Sequence, residues 1–385
     1  MAFVINNGVL ERYNPEPDEL DIVIPDNVVK IGEKVFRGRN IKSVTIPSSV
    51  KVIERGAFES CRNLKKLTLN NGLEKIKECA FFDSSINEIV LPETVKTIGE
   101  RAFTSTNITS INIPEKIKHI NKDCFIGCKQ LENISVSEKN EHYTSLNGVL
   151  FDKDMKTLIY YPCGKKDSCY TVPDGVEVIQ KLAFWSCNNL RSVTFSESMR
   201  WIESCSFQAC KNLERITIPC CEMVMNSKAF YITHFSDVTI IGKNTTINIS
   251  DDFRTSNGAF NAETMRFFNC ITYAPYFKDK FFAEIKLSKF KSPLAVFLLI
   301  EYDYSSVKAY INRNIRHIVK YLIDTRDAKN LTKMLDMGYI TQKNIGDFIN
   351  YAIKQKCPEI QIILSNFKND NIGFKKEKAF DDLLL

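Results

Sequence analysis

Hydrophobic and polar positions repeat with a fixed period from about residue 24 to residue 245. The repeated pattern is I-P-x-x-V-x-x-I-x-x-x-A-F-x-x-C-x-x-L-x-x-I-x, and most neighbouring copies begin 22 or 23 residues apart. The eight copies begin at Ile24, Ile46, Leu69, Leu91, Ile113, Val172, Phe195 and Ile218. A period of roughly 20–29 residues is typical of a solenoid, in which each copy forms one coil.

Two kinds of local structure are predicted within each copy. Apolar and polar residues alternate up to the Pro-like position, as in Ser43–Pro47, which predicts a short strand that ends at the proline because proline has no N–H. The same alternation predicts strands at Lys66–Asn70, Glu88–Pro92, Ser110–Pro114, Ser192–Ser196 and Arg215–Pro219. The stretch V-x-x-I-x-x-x-A-F spaces its apolar residues three to five apart. This spacing predicts a turn followed by a short helical piece on the opposite side of the coil.

A phenylalanine lies twelve positions after the first residue of every copy, at Phe36, Phe58, Phe81, Phe103, Phe125, Phe184, Phe207 and Phe230. One coil cannot bury its own apolar face, whereas stacked coils can, with strands about 4.8 Å apart. We therefore expect the phenylalanines to stack as a ladder of rings along the core.

The repeat is interrupted once, by the 59 residues between the copies that begin at Ile113 and Val172. Within this gap, "GVLF" and "TLIYYP" flank the polar residues "DKDMK", which predicts a β-hairpin within residues 143–173. The N-terminal "NNGVLERY" at 6–13 is similar to "LNGVLFDK" at 146–153. We therefore expect the N-terminal segment to be a related cap on the first coil.

These motifs resemble the BspA-like class of leucine-rich repeats, which occurs in many bacterial and some protozoan proteins. The resemblance covers roughly residues 1–245 and rests on the I-P and A-F dipeptides of the repeat. The better-known L-x-x-L-x-L-x-x-N repeat differs, and the asparagine ladder of that repeat is expected to be missing here. The resemblance implies a right-handed α/β solenoid and, for many secreted members, interaction with or adhesion to host proteins.

A different pattern begins at about residue 278, where apolar residues recur with helical spacing. Helices are predicted within 281–290, 293–302, 315–324, 330–340, 345–356 and 359–368. Pro293 and Pro358 are expected in the first turns of their helices, where a missing N–H costs nothing. The stretch from Ile318 to Thr341 resembles degenerate ankyrin-type helix pairs, although the T-P-L-H signature is absent. The alternative is a helical cap peculiar to this chain.

The expected organisation is therefore an α/β leucine-rich repeat solenoid followed by an all-α domain. We place an N-terminal cap at 1–23 and the solenoid at 24–245, with the hairpin insertion at about 137–171. A linker or C-terminal cap follows at 246–277, and the helical domain occupies 278–385.

Composition narrows the function classes only slightly. The chain has 385 residues, of which 44% are hydrophobic and 25% charged, and its net charge of +6 is spread along the sequence. The sequence lacks the clustered basic residues that would indicate nucleic-acid binding. It also lacks the apolar run of about 20 residues that a membrane span needs. The first residues lack a signal-peptide pattern, which predicts a cytoplasmic protein if Met1 is the native start. The alternative is a cell-surface or secreted protein whose targeting segment is absent from this chain.

Thirteen cysteines invite a metal or redox interpretation, but their positions favour the core. Cys61, Cys128, Cys187 and Cys210 all lie fifteen residues after the first residue of their copy, and we call this position 15, with the first residue as position 0. We expect these thiols to be buried core filler. The sequence contains no H-E-x-x-H, G-x-S-x-G, G-x-x-x-x-G-K-[ST] or G-x-G-x-x-G motif. We therefore expect no catalytic, metal or cofactor site and no enzymatic activity.

The expected partner-binding surface is the concave strand face of the solenoid. In each strand the core residues alternate with outward ones, so one outward column is mostly Thr, Ser or Asn and its neighbour is polar or charged. The residues assigned to this surface are Thr45, Lys66, Thr68, Glu88, Asn112, Ser135, Thr194, Arg215, Thr217 and Thr239. Threonine is also a good strand former, so a purely structural ladder is the alternative.

Two tryptophans, Trp185 and Trp201, lie next to core positions and are added to the surface as candidate hot spots. The alternative for both is packing against the insertion. The sequence as a whole predicts a non-enzymatic scaffold that binds a protein or peptide, with no cofactor. The alternative functions are an adhesin of the BspA class and an enzyme with its site between solenoid and helices.

Overall fold

The computed structural model describes residues 3–15, 19–121, 123–219, 223–233, 235–242, 246–250, 264–265, 267–268, 282, 285, 288–302 and 305–381. The chain forms two compact units. The first comprises Met1–Asp237 and Asp251–Met265, and the second comprises Val238–Ser250 and Arg266–Leu385. No helix among the described residues combines the length and apolar character needed to cross a membrane.

Within the part of the chain that the structure describes, twenty-three short strands come before the helix Ser288–Tyr302 in the sequence. They are β1 (Phe3–Asn6), β2 (Val9–Tyr13), β3 (Asp21–Val23), β4 (Lys30–Ile31), β5 (Ser43–Ile46), β6 (Val52–Ile53), β7 (Lys66–Leu69), β8 (Lys75–Ile76), β9 (Thr97–Ile98), β10 (Ser110–Ile113), β11 (His119–Ile120), β12 (Asn133–Val136), β13 (Tyr143–Leu146), β14 (Val149–Asp152), β15 (Thr157–Tyr160), β16 (Cys169–Thr171), β17 (Val178–Ile179), β18 (Ser192–Thr194), β19 (Trp201–Ile202), β20 (Arg215–Pro219), β21 (Val224–Met225), β22 (Asp237–Ile241) and β23 (Thr246–Ser250).

Each regular coil of the first unit contributes two parallel strands. The longer strands precede the Pro-like position and pair as β3-β5-β7, β10-β12 and β16-β18-β20. The two-residue strands fall in the V-x-x-I stretch and pair as β4-β6-β8-β9-β11 and β17-β19-β21. Residues at the same repeat position face each other across the coils, as Thr45 does with Thr68 and Val52 with Lys75. This register confirms the solenoid and the 22- to 23-residue coil.

One predicted strand does not form. Glu88–Pro92 has the alternating pattern, but only Glu88 makes a strand contact, as a single bridge to Lys66. The side chain of Val90 is left 80% exposed. The longer-strand series is therefore interrupted between β7 and β10.

The predicted helical piece on the opposite side of the coil is also wrong, because the A-F stretch consists of consecutive turns. Two repeat positions in this stretch adopt positive φ angles. Position 10 does so at Lys34, Gly56, Cys79, Arg101, Leu182 and Cys205, and position 14 at Gly38, Ser60, Asp83, Ser105, Gly127, Ser186, Ala209 and Ile232. A left-handed residue cannot continue a right-handed helix, so the chain reverses twice within a few residues.

The phenylalanine ladder forms as expected. Ring centroids of successive coils lie between 4.6 and 6.2 Å apart, and all eight phenylalanines are buried. Three tyrosines extend the ladder: Tyr13 packs on Phe36 at 4.9 Å, Tyr160 on Phe125 at 5.7 Å and Tyr161 on Phe184 at 4.9 Å. The ladder therefore continues into the cap and the insertion.

The cysteines at position 15 are buried, as expected, but they are more than filler. The thiol of Cys61 donates to the carbonyl of Phe36 at 3.0 Å, and that of Cys210 donates to the carbonyl of Phe184 at 2.9 Å. Ser84 occupies the same repeat position and donates to the carbonyl of Phe81 at 2.7 Å. Thr106 likewise donates to the phenylalanine carbonyl of its own coil, whereas Cys128 and Thr233 donate to that of the preceding coil and Cys187 donates to the carbonyl of Tyr161. Position 15 therefore supplies a hydrogen-bond donor to a buried carbonyl in every one of these coils.

Asparagine side chains join some of the neighbouring coils. Asn63, Asn189 and Asn212 lie at the corner, two residues after the position-15 cysteine of their own coil. The side chain of Asn63 donates to that of Asn40, and Asn189 and Asn212 donate to main-chain carbonyls of the preceding coil at 2.7 Å each. This repeat therefore uses asparagine to join neighbouring coils at a different place from the better-known repeat.

The insertion is a three-stranded antiparallel meander. The predicted hairpin is β14–β15, and β13 adds a third strand that the pattern did not predict. The cap is the antiparallel hairpin β1–β2. Asn7-Gly8 and Asn147-Gly148 both have positive φ angles at the two turn residues, which is the conformation of a type I′ turn. The N-terminal hairpin and the insertion therefore share this turn conformation.

The described residues of the second unit include the helices α1 (Ser288–Tyr302), α2 (Ser305–Asp324), α3 (Ala328–Asp336), α4 (Ile345–Lys354) and α5 (Pro358–Asp381). Pro358 begins α5 as expected, whereas Pro293 lies inside α1 because that helix begins five residues earlier. Most of the predicted helix at 281–290 lies outside the described residues. The Asp327 side chain caps α3 by accepting from the Asn330 N–H at 3.1 Å.

Candidate interaction surface

The outward residues of the longer strands form what we call the strand face. The inward residues Val44 and Ile46 of β5 are buried, which places Ser43 and Thr45 on the outside, as the alternation predicts. Ser43 pairs with Lys66, and Thr45 with Thr68, across β5 and β7. The first half of the surface therefore has two parallel columns with the predicted membership.

The same two columns continue in the second half of the solenoid. Ser192 pairs with Arg215, and Thr194 with Thr217, across β18 and β20. Four residues of these columns were missed: Asp21, Val23, Cys169 and Thr171. The signal was present in "DIVIP" and "CYTVP", which have the same alternation. It was passed over because these segments lie in the expected cap and insertion.

Some hydrogen-bonding capacity of the strand face is used within the face itself. The Ser43 hydroxyl donates to Asp21 Oδ1 at 2.5 Å, and the Ser135 hydroxyl donates to Asn112 Oδ1 at 2.9 Å. The threonine side chains at 45, 68, 194 and 217 are half-buried. Pairing between neighbouring coils therefore holds several outward side chains in place.

Charge on the strand face is carried by exposed side chains. Lys66, Glu88 and Arg215 are all exposed, and the ion pairs found among the described residues include none of the three. Lys66 and Glu88 lie on adjacent coils, which places opposite charges side by side. Their charges are accordingly available to a ligand from solvent.

Thr239 belongs to the second unit, where its hydroxyl donates to Asn248 Oδ1 at 2.8 Å. Two other assigned residues, Trp185 and Trp201, lie outside these columns. Trp201 is 51% exposed but lies on the two-residue strand β19, between Val178 and Val224. Trp185 is half-buried in the turn stretch. The structure thus separates both tryptophans from the strand face.

The remaining candidate chemistry gives no assembled centre among the residues that the structure describes. No group of three His, Cys, Asp or Glu side chains there has metal-binding geometry. Burial raises the pKa of Cys61 and of Cys128 to about 12 each. Cys169 is exposed, and hydrogen bonding from Ser192 lowers the pKa of its thiol. Cys220, Cys221 and His234 lie outside the described residues.

Comparison with solved structures finds other leucine-rich repeat proteins. A leucine-rich repeat protein from Eubacterium ventriosum has a TM-score of 0.50 and 23% identity, covering 60% of this chain and 66% of that chain. PcpA, a pneumococcal vaccine antigen, has a TM-score of 0.48 and 22% identity, covering 62% of this chain and 78% of that one. This chain thus spans just under two thirds of the Eubacterium protein, and the likeness shows the fold alone. No curated protein matches.

The family comparison is more specific. The model of the BspA type leucine rich repeat region matches in six copies over residues 20–132, 51–159 and 153–255. These ranges together span more than half of the 385-residue chain and coincide with the coils described above. This chain belongs to the BspA-type leucine-rich repeat family.

Proposed function

We propose that this leucine-rich repeat scaffold binds a protein or peptide partner through its strand face, without enzymatic activity. The observation that carries the proposal is the in-register pair of outward columns. Each regular coil adds one residue to each column, at a spacing of about 4.8 Å. A partner lying across the coils therefore meets a regular series of polar groups on a framework fixed by the buried ladder.

The chemistry of the columns suits a polypeptide ligand. Threonine hydroxyls at Thr68 and Thr217 and the amide of Asn112 can each donate and accept hydrogen bonds, as peptide groups do. The charges of Lys66, Glu88 and Arg215 would fix the orientation of the partner, because complementary charges act mainly on specificity and association rate.

The interruption at the fourth coil adds an apolar contact to this polar surface. Val90 occupies the same repeat position as Thr68 and is 80% exposed. Ile89, Val90 and Leu91 take no part in strand pairing. An exposed valine among polar neighbours would supply the desolvated centre that protein interfaces place inside a polar rim.

The proposal is tested by comparative capture from a lysate of the source organism. The purified chain is immobilised, and captured proteins are quantified by mass spectrometry. The strand-face variant carries Thr68→Arg, Asn112→Arg and Thr217→Arg. The matched control carries Val52→Arg, Thr97→Arg and Val178→Arg, outward residues of the two-residue strands.

The strand-face variant should lose at least about tenfold of the specific captured protein, because three arginines obstruct the columns, while the control retains it. Both variants should melt at the wild-type temperature, since all six positions point outward. Unchanged capture by a folded strand-face variant would contradict the proposal.

A further inference from the structure

A concavity of about 470 Å³ lies where the strand face ends, in the coil before the insertion. We call it the lysine pocket, and it is lined by Lys96, Glu115, Lys116, Lys118, Lys139, Glu141 and His142. None of the assigned strand-face residues lines it. All seven lining residues are exposed, so their charged ends are accessible from solvent.

The position of the lysine pocket follows from the parallel strands β10 and β12. These strands end at Ile113 and Val136, and the lining residues begin at Glu115 and Lys139. Because parallel strands end at the same edge of a sheet, both segments reach the pocket on the same side. Asn112 is three residues from Glu115, a separation of at most roughly 10 Å along the chain.

The walls of the lysine pocket are held by one buried side chain, Asn140. Its Nδ2 donates to the carbonyls of Pro114 at 2.8 Å, Glu115 at 3.2 Å and Ile117 at 3.0 Å. Its Oδ1 accepts the N–H groups of His142 and Tyr143, each at 2.9 Å. Asn140 therefore joins the turn after β10 to the turn after β12.

A tyrosine makes a second connection between the same segments. The Tyr143 hydroxyl accepts the N–H of Ile120 at 3.0 Å and donates to the carbonyl of Lys118 at 3.3 Å. The pocket backbone is thus fixed on both sides before any ligand arrives. Preorganised groups lose less entropy on binding than mobile ones do.

The charge of the lysine pocket is mainly positive. Of its four lysines, only Lys96 takes part in the ion pairs found among the described residues, with Glu74 at 2.8 Å. Lys116, Lys118 and Lys139 have no carboxylate within ion-pair distance in that part of the chain. Like charges gathered around a concavity raise the local concentration of an oppositely charged ligand.

We propose that the lysine pocket binds acidic side chains of a peptide partner that lies on the strand face. This inference rests on the proposed function and adds the charge of the partner. A peptide that contacts Asn112 and Ser135 needs only a few residues to bring a carboxylate to Lys116 or Lys139. The two glutamates disfavour a densely charged polyanion, since Glu115 and Glu141 would repel it while accepting peptide N–H groups.

The test uses two fluorescein-labelled peptides of equal length and otherwise neutral sequence: the glutamate peptide carries two glutamates, and the glutamine peptide carries glutamine at the same two positions. Binding is followed by fluorescence anisotropy over a range of salt concentrations. The pocket variant carries Lys116→Gln, Lys118→Gln and Lys139→Gln. The control variant removes the same number of charges from exposed lysines elsewhere in the first unit, with Lys51→Gln, Lys75→Gln and Lys77→Gln.

The glutamate peptide should bind the wild-type chain more tightly than the glutamine peptide, with affinity falling as salt rises. The dissociation constant of the glutamate peptide should be about tenfold higher for the pocket variant than for the wild-type chain, and less than about twofold higher for the control variant. Equal binding of both peptides, or equal losses in both variants, would overturn the inference. Lysine-dependent binding of a heparin oligosaccharide without binding of the glutamate peptide would also overturn it, in favour of a glycan.

A capture experiment separates this inference from the proposed function. If the strand-face variant loses the captured partner while the pocket variant keeps it at full strength, the acidic contact is wrong and the strand face stands. If the strand-face variant keeps the partner, the proposed function is wrong.

Discussion

The interior of the solenoid and its strand face are built from the same coils but differ in how strictly each position repeats. In the interior, position 12 is phenylalanine in all eight copies, and position 15 carries a cysteine, serine or threonine in seven. On the strand face, one outward column changes from Thr45 and Thr68 to Val90, Asn112 and Ser135.

The difference separates folding from recognition. A ring must fill the same space in each coil, and a buried carbonyl needs a donor, so the interior accepts few residue types. An outward position has no such requirement beyond strand compatibility, so its side chain is free to suit a ligand. Changes inside should therefore alter stability, whereas changes outside should alter binding.

Removing one ring from the ladder should have the largest effect. Phe103→Ala leaves a void between Phe81 and Phe125 and is expected to lower the free energy of unfolding by about 3–5 kcal/mol. Urea denaturation measures the change. Thr45→Ala, an outward substitution, is the control and should stay within about 0.5 kcal/mol of wild type. Equal stability of Phe103→Ala and wild type would refute the ladder as the source of stability.

Removing a buried donor should have an intermediate effect. Cys210→Ala leaves the carbonyl of Phe184 without the thiol that lies 2.9 Å away, and should cost about 1–3 kcal/mol. Cys210→Ser keeps a hydroxyl donor like that of Thr233, which donates to the phenylalanine carbonyl of the preceding coil, and should lose less. Both are compared by urea denaturation. A serine variant no more stable than the alanine variant would mean that position 15 only fills space.

Relieving a left-handed backbone should give a smaller change of opposite sign. Ile232 has φ +54° and is 49% exposed, so Ile232→Gly removes backbone strain while losing little buried surface. We expect a gain of about 1 kcal/mol by thermal unfolding. Val178→Gly, in a strand, is the control and should be destabilising. A loss of stability in Ile232→Gly would contradict the account of the turns.

Cysteine occurs both in the interior and on the strand face, so the reactivity of one residue type can be compared in the two environments. The Cys→Ser variants used for this should change stability very little. The thiolate is the reactive form, so Cys169, whose pKa is lowered, should react before Cys61, whose pKa burial raises to about 12. The reaction should slow as pH falls. A thiol-reagent time course on the folded chain should lose one fast equivalent in Cys169→Ser and none in Cys61→Ser. An unchanged fast phase in Cys169→Ser would be the opposite result.

Features set by the repeat period could be predicted from the sequence. Stacked copies must superpose equivalent positions, so the ladder, the strand register and the outward columns follow from counting residues. The pairing of Thr194 with Thr217 is one such result. The strands β3 and β16 followed from the same pattern but were assigned to the cap and insertion.

Features set by backbone conformation could not be predicted in this way. Apolar spacing in the A-F stretch is compatible with a helix, and only the φ angles of residues such as Leu182 and Ala209 exclude it. Leucine and alanine rarely adopt a left-handed conformation, so their presence in the sequence does not predict one. The start of the helix that contains Pro293 could not be predicted for a similar reason. Most residues before α1 have the same helical periodicity as α1 itself, so the periodicity does not mark where the helix begins. The lysine pocket was missed because its walls depend on Asn140, a buried polar residue at the turn position where other coils carry an apolar residue such as Val95 or Ile117.

The claim that the strand face is the binding surface is tested most directly by an arginine scan. Once the partner is identified, its dissociation constant is measured by calorimetry against single arginine variants of Thr45, Thr68, Thr194 and Thr217 on the strand face. Thr97 and Val178 on the two-residue strands are the matched controls. The account predicts that strand-face variants weaken binding in a continuous group of neighbouring coils, while both controls bind as wild type does. Losses at the controls with unchanged binding across the threonines would contradict it.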